Sequence, residues 1–233
     1  LSSSAASDVY KRQVFEKTER YIRLLEELDL KLVKVVDTHV HADHITAMGA
    51  LRDRTNCVTV MGEQSPVDVV SMRVSDGERV TIEGIDLTAM HTPGHTDDSY
   101  CFRMDDRVFT GDTLLIRGTG RTDFQNGDAG QQYDSLFDGV LKLPESTLVY
   151  PAHDYKGDMV STIGEERANN PRLQVGSRAE YIELMAGLNL PNPKMMDVAV
   201  PENIRMGLNL DRQREVATVT PESIIMELSL IHI

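Results

Sequence analysis

The chain has 233 residues, 40% hydrophobic and 26% charged, which excludes a disordered or low-complexity polymer and suits one large domain or two small ones. Asp and Glu (37) outnumber Lys and Arg (24), and the net charge of −13 has the wrong sign for gripping a nucleic-acid backbone or an anionic membrane surface. No apolar run is long enough to cross a bilayer, and two cysteines, Cys57 and Cys101, are too few for a disulfide framework; both read as small buried hydrophobes in a reducing compartment.

The first residues are Ser/Ala-rich and lack the apolar stretch of a secretory signal. Asp8-Val9-Tyr10-Lys11-Arg12-Gln13 and Leu228-Ser229-Leu230-Ile231-His232-Ile233 can be encoded by one run of six codons and its reverse complement. That run resembles a transposon end used in sequencing libraries. Residues 1–13 and 228–233 are therefore expected to be adapter-derived, the domain to occupy 14–227, and His232 to have no function.

Val14 to Leu30 carries apolar residues at near-helical spacing between Glu, Lys and Arg and predicts an amphipathic helix. The β-branched run Leu32–Val36 predicts a buried strand. A helix over Ile45–Arg54 and a strand over Cys57–Met61 complete a β-α-β unit, which implies a parallel sheet. After Pro66, short strands over Arg79–Ile82, Asp86–Met90, Ser99–Met104 and Arg107–Thr110 are split by turns such as Asp76-Gly77 and Asp105-Asp106, an antiparallel meander. Helices are predicted over Gln131–Leu141, Ser161–Ala168 and Ser177–Leu188, a strand over Thr147–Tyr150, and a Pro-rich tail wrapping the surface from Pro191. No linker divides the chain.

His39-Val40-His41-Ala42-Asp43-His44 places three imidazoles and a carboxylate within six residues, in a chain with only seven histidines. The cluster follows a buried strand, at the carboxyl edge of a sheet where α/β proteins place their sites. Three further segments also follow strands: His91-Thr92-Pro93-Gly94-His95-Thr96, Thr110-Gly111-Asp112-Thr113 and Tyr150-Pro151-Ala152-His153-Asp154-Tyr155. Strand ends on one rim would bring these imidazole and carboxylate groups together as ligands for one or two metal ions.

The order HxHxDH, His95, Asp112, His153 resembles the metallo-β-lactamase superfamily, with all seven positions of its metal motif present. The resemblance implies an α/β fold, the αββα four-layer sandwich, here expected to lack its first N-terminal strands. In dinuclear members His39, His41 and His95 would hold one ion, Asp43, His44 and His153 the other, and Asp112 would bridge them. Leu115 to Gln125, Tyr150 to Tyr155, Glu165-Glu166-Arg167, Asn170-Pro171-Arg172-Leu173, Leu188 to Lys194 and Val200-Pro201-Glu202-Asn203 are similar to the persulfide dioxygenase branch, from about Lys17 to Gly207. Thr119 stands where some members of that branch carry Cys.

That branch implies one Fe(II) held by His39, His95 and Asp112, leaving open positions for substrate sulfur and O2. His41, Asp43, His44 and His153 would then surround the ion and orient its ligands, or hold a second metal. The implied substrates are glutathione persulfide and O2, and the products sulfite and glutathione. Arg121 and Tyr155 are candidates for gripping the thiol tripeptide, with Arg205 behind them. The alternatives are a glyoxalase II-like hydroxyacyl-glutathione thioesterase with two Zn2+, and an inactive truncated metal-binding fragment. The family often forms homodimers. The expected location is a bacterial cytoplasm or a mitochondrial matrix, without secretion and without nucleic-acid or membrane partners.

Overall fold

The structure, a computed structural model, describes residues 13–82, 84–154 and 157–208. The expected adapter-derived ends lie outside these residues apart from Gln13, and so does Tyr155.

After a short 3-10 turn at Phe15–Lys17, helix α1 (Thr18–Glu27) turns Leu25 inward and packs Tyr21 and Ile22 against the same core, as the amphipathic pattern requires. Strand β1 (Lys34–Val36), helix α2 (Met48–Thr55) and strand β2 (Val58–Gly62) form the anticipated β-α-β unit, with Lys34 opposite Val58 and Val36 opposite Val60 in parallel register. Asn56 ends α2 in the left-handed conformation and returns its N–H to Arg52 O at 2.8 Å. Strand β3 (Met72–Val74) extends this sheet in parallel beyond β2, a strand not anticipated from the sequence. Three residues are too few to show a period of two.

The second sheet has the order β4 (Arg79–Ile82), β5 (Ile85–His91), β6 (Tyr100–Arg103), β7 (Arg107–Gly111), β8 (Leu148–Pro151), β9 (Ser161–Thr162). Its pairs are antiparallel except β7 with β8, which run parallel. The meander is as expected. Ser161–Thr162, expected as the first turn of a helix, is instead an edge strand; the Thr162 side chain then caps α4 (Ile163–Asn169) by accepting from Glu165 N. Helix α3 (Ala129–Asp134) continues through a wider π turn and then a tighter 3-10 turn to Lys142, and α5 (Arg178–Ala186) follows. The tail expected to wrap the surface contains a two-turn helix, α6 (Met196–Asn203), with Pro201 inside it.

Val60 and Val74 of the first sheet meet Val80, Ala89, Tyr100 and Phe102 of the second in a buried layer. Leu136, Val140, Ile163 and Tyr181 cover the outer face of the six-stranded sheet. Leu25, Met48, Leu51 and Met206 cover the outer face of the three-stranded one. Helices, sheet, sheet and helices thus form the αββα sandwich. β5, β7 and β8 point the same way, so their carboxyl ends share one rim with the end of β1. Among the described residues, no helix is long and apolar enough to cross a membrane.

Candidate metal centre

The rim gathers the histidines and carboxylates singled out in the sequence. His39, three residues past β1, is 2% exposed, with its ring centroid 5.0 Å from that of His95 in an edge-on arrangement. Potential ligand atoms of His39, His95 and Asp112 all lie within 4.8 Å of one another. The His95 Nδ1–H donates to Arg121 O at 2.7 Å, because a carbonyl can only accept. This fixes the tautomer and leaves the Nε2 lone pair facing Asp112 Oδ2, 3.5 Å away. Burial, and then the neighbouring imidazoles of His41 and His95, push His39 well below the ordinary histidine range, so its ring is neutral.

Glycines make this close assembly feasible at two points. Gly111 adopts φ +51° just before Asp112, and a Cβ there would approach Thr38 Oγ1 to 2.7 Å. Thr38 Oγ1 itself lies 2.9 Å from His39 Nδ1. A Cβ on Gly120 would lie 2.2 Å from the Asp112 backbone O and 2.7 Å from His95 Nδ1, so the loop can pass this close to both only as glycine.

Beside the first group stands a second, His41, Asp43 and His44, whose ligand atoms also fall within 4.8 Å of one another. Asp43 Oδ1 is 3.1 Å from His44 Nδ1, and Asp43 Oδ2 is 3.6 Å from His153 Nε2. His153 Nε2 is also 3.4 Å from Asp112 Oδ2, so His153 stands between the two groups. All seven motif residues therefore meet at one rim.

The donor set fits a divalent cation. Asp112 Oδ1 and His44 Nε2 are buried with no hydrogen-bond partner among the described residues. An orphaned buried polar atom costs about 1–3 kcal/mol, more if charged. A cation coordinated at the centre relieves that cost. The ligand atoms are imidazole nitrogen and carboxylate oxygen without thiolate, a set suited to iron or zinc with open positions rather than to a closed structural zinc site.

Residues behind the rim hold the ligand loops in place. Asn203 of α6 donates from Nδ2 to His41 O and His44 O, both at 2.8 Å, and accepts from Thr46 N at 2.9 Å. Sequence reading assigned Asn203 no role. Its partners lie some 160 positions away, beyond any local periodicity. Asp37, buried at the end of β1, accepts from Thr46 Oγ1 at 2.8 Å and Gln13 Nε2 at 2.5 Å. Behind the loop that follows Asp112, buried Glu166 accepts from Arg117 N, Arg117 Nη1, Ser161 Oγ and Asn170 Nδ2. Asn170 Nδ2 also donates to Gly118 O, and Arg172 Nη1 to Thr119 O.

Arg121 differs from expectation. Its Nε and Nη2 both donate to Asp123 at 2.6 Å, Nη1 donates to Pro191 O at 2.7 Å, and Nη2 also reaches Leu190 O at 3.3 Å. Its Cζ lies 4.8 Å from the Phe124 ring centroid. A carboxylate two residues along captures the guanidinium in bidentate fashion, so the cation expected to grip a substrate carboxylate is engaged within the chain. The part of Arg121 that serves the centre is its backbone carbonyl, on His95. Tyr155 lies outside the described residues, and Arg205 is exposed just past α6.

Fold and site together define a metal-binding αββα sandwich, and the model of the metallo-beta-lactamase superfamily matches residues 5–153: the chain belongs to that superfamily. Its relatives are more specific. The mitochondrial persulfide dioxygenase ETHE1 of Mus musculus is 44% identical over 195 residues, covering 82% of this chain and 76% of the mouse protein, and the Homo sapiens protein matches equally. The crystal structure of ETHE1 from Myxococcus xanthus is 50% identical, with a TM-score of 0.82 over 84% of this chain and 87% of that one. Within the superfamily, the chain is a member of the persulfide dioxygenase family and an oxidoreductase. A Staphylococcus aureus metallo-beta-lactamase at 22% identity and TM-score 0.78 shares the fold.

Proposed function

We propose that this chain oxidises glutathione persulfide with O2 and one water to glutathione, sulfite and two protons, using one Fe(II) held by His39, His95 and Asp112. The observation that supports this most is the convergence of those three side chains on one point, two imidazole nitrogens and one carboxylate, in a member of the persulfide dioxygenase family. When bound, iron supplies redox chemistry and open positions for substrate sulfur and dioxygen.

The chain's own residues do the rest. The Arg121 carbonyl holds His95 in the tautomer that presents Nε2 to the centre. Asp43 orients His44 through Nδ1, and Asn203 fixes the backbone of both His41 and His44. Phe124 stands edge-on beside His95, with ring centroids 5.9 Å apart. His41, Asp43, His44 and His153 surround the ion. Tyr155 is retained as a candidate donor to the thiol tripeptide, and Arg121 contributes through the loop it ties to residues 190–192.

The second group of ligand atoms supports a second reading, two zinc ions activating water for thioester hydrolysis. Anaerobic iron loading followed by O2 consumption on glutathione persulfide, with sulfite measured, separates the two. Stoichiometric O2 uptake and sulfite are expected. Absent O2 uptake, with two zincs bound and a hydroxyacyl-glutathione cleaved, would overturn the dioxygenase reading. Both cysteines are free thiols, which supports a reducing compartment such as a bacterial cytoplasm or a mitochondrial matrix. A homodimer is proposed from the family habit.

A further inference from the structure

One buried carboxylate near the rim takes no part in the chemistry above. Asp98, 3% exposed, lies in the turn between β5 and β6. Its Oδ2 accepts from Val40 N at 3.0 Å and its Oδ1 from Thr96 Oγ1 at 2.7 Å. Val40 is the residue between His39 and His41, and Thr96 follows His95 directly. One carboxylate therefore bonds to both of the loops that present imidazoles to a shared centre.

The two loops belong to different sheets. His39 and His41 follow β1 of the three-stranded sheet, and His95 follows β5 of the six-stranded sheet. Sheets that only pack on each other can slide by fractions of an ångström at small cost, whereas ligand geometry tolerates little displacement. The backbone bond from Tyr100 N to Thr38 O, 2.8 Å, joins the same two segments farther back. Asp98 fastens them at the ligands themselves. Thr96 is held in turn, with its Oγ1 2.7 Å from Ser99 Oγ, so the carboxylate pulls on a braced partner. Burial raises the Asp98 carboxyl above the usual carboxylate range, against the two hydrogen bonds that lower it. A buried acid is costly, and the two hydrogen bonds of this one go to the residues beside His39 and His95.

We propose that Asp98 is a positioning residue of the metal centre, setting the spacing between the His39 and His95 loops through Val40 N–H and Thr96 Oγ1–H. This rests on the reading that His39 and His95 ligate one ion.

The test is an anaerobic ferrous-iron titration of the full chain against a chromophoric chelator, comparing wild type, Asp98→Ala, Asp98→Asn and His95→Ala, with circular dichroism of each metal-free protein. Asp98→Ala, still folded, is expected to bind iron about 10–100-fold more weakly. Asp98→Asn can accept from Val40 N with Oδ1 and donate to Thr96 Oγ1 with Nδ2, and is expected to recover most of that loss. A merely structural role would lower the unfolding temperature and leave affinity unmoved. Wild-type affinity in folded Asp98→Ala, with binding lost in His95→Ala, would overturn the positioning role alone. Iron retained by His95→Ala would instead overturn the ligand reading. If Asp98→Ala does not fold, Thr96→Val, which deletes one arm, decides: weaker iron binding supports the proposal, and wild-type affinity contradicts it.

Discussion

Two buried polar clusters lie on either side of the loop that follows Asp112, and they are built on opposite plans. Around Glu166 every carboxylate lone pair has a donor: Arg117 and Ser161 serve Oε1, and the Arg117 backbone and Asn170 serve Oε2. Around Asp112 the reverse holds. Its Oδ1 and the Nε2 of His44 are buried with no hydrogen-bond partner among the described residues, and its Oδ2 lies 3.5 Å from His95 Nε2 and 3.4 Å from His153 Nε2. A closed network stabilises the fold it sits in; an open one costs stability until a cation completes it. The first cluster exists to hold the loop so that the second can stay open.

The contrast yields opposed expectations for two substitutions. Asp112→Ala should abolish iron binding and reduce turnover to background, yet leave the metal-free protein at wild-type stability or slightly above, because a carboxylate with an unpartnered buried oxygen is gone. Iron analysis with thermal unfolding checks both halves. Glu166→Ala should destabilise the metal-free chain by about 3 kcal/mol, near the low end for a broken buried pair since Arg117 keeps Glu165 as a partner. For a chain of this size that lowers the melting temperature by about 6–12 °C. If Asp112→Ala proved the less stable of the two, the distinction between the clusters would fail.

Metal removal sharpens the same comparison. Saturating iron at 100 times its dissociation constant should stabilise the wild type by about 2.7 kcal/mol, and chelation should remove that increment. Asn203→Ala leaves His41 O, His44 O and Thr46 N without their buried partner and should cost about 1–3 kcal/mol. Its iron affinity should fall with it, measured by the same chelator competition. The smallest effect is expected at the thiols. Burial pushes Cys101 up to about 11, so an alkylating reagent at pH 8 should label it only after unfolding, read by mass spectrometry.

The candidate ligands were legible in the sequence because their chemistry is local: imidazoles two and three apart after a β-branched strand, and a His or Asp just past β5, β7 and β8. The β-α-β unit and the meander were legible for the same reason, since hydrophobic period and turn residues act over a few positions. Strand β3 was not, because three residues with one buried position carry no period. Helix α6 was hidden by Pro201, which reads as a breaker but is accommodated in a helix of eight residues whose Asn203 is held by the His41–Thr46 loop. The environment of Arg121 was equally hidden. Its charge and its place after Asp112 suggest a ligand for substrate, while the carbonyls that engage it arrive from residues 190 and 191.

The most direct test of the central claim is the metal stoichiometry of the full chain purified from iron-supplemented cells, alongside His39→Ala, His95→Ala and Asp112→Ala. About one iron per wild-type chain, lost in each of the three variants, is the expected result. Two metal ions per chain, or iron retained at wild-type level without the Asp112 carboxylate, would contradict it.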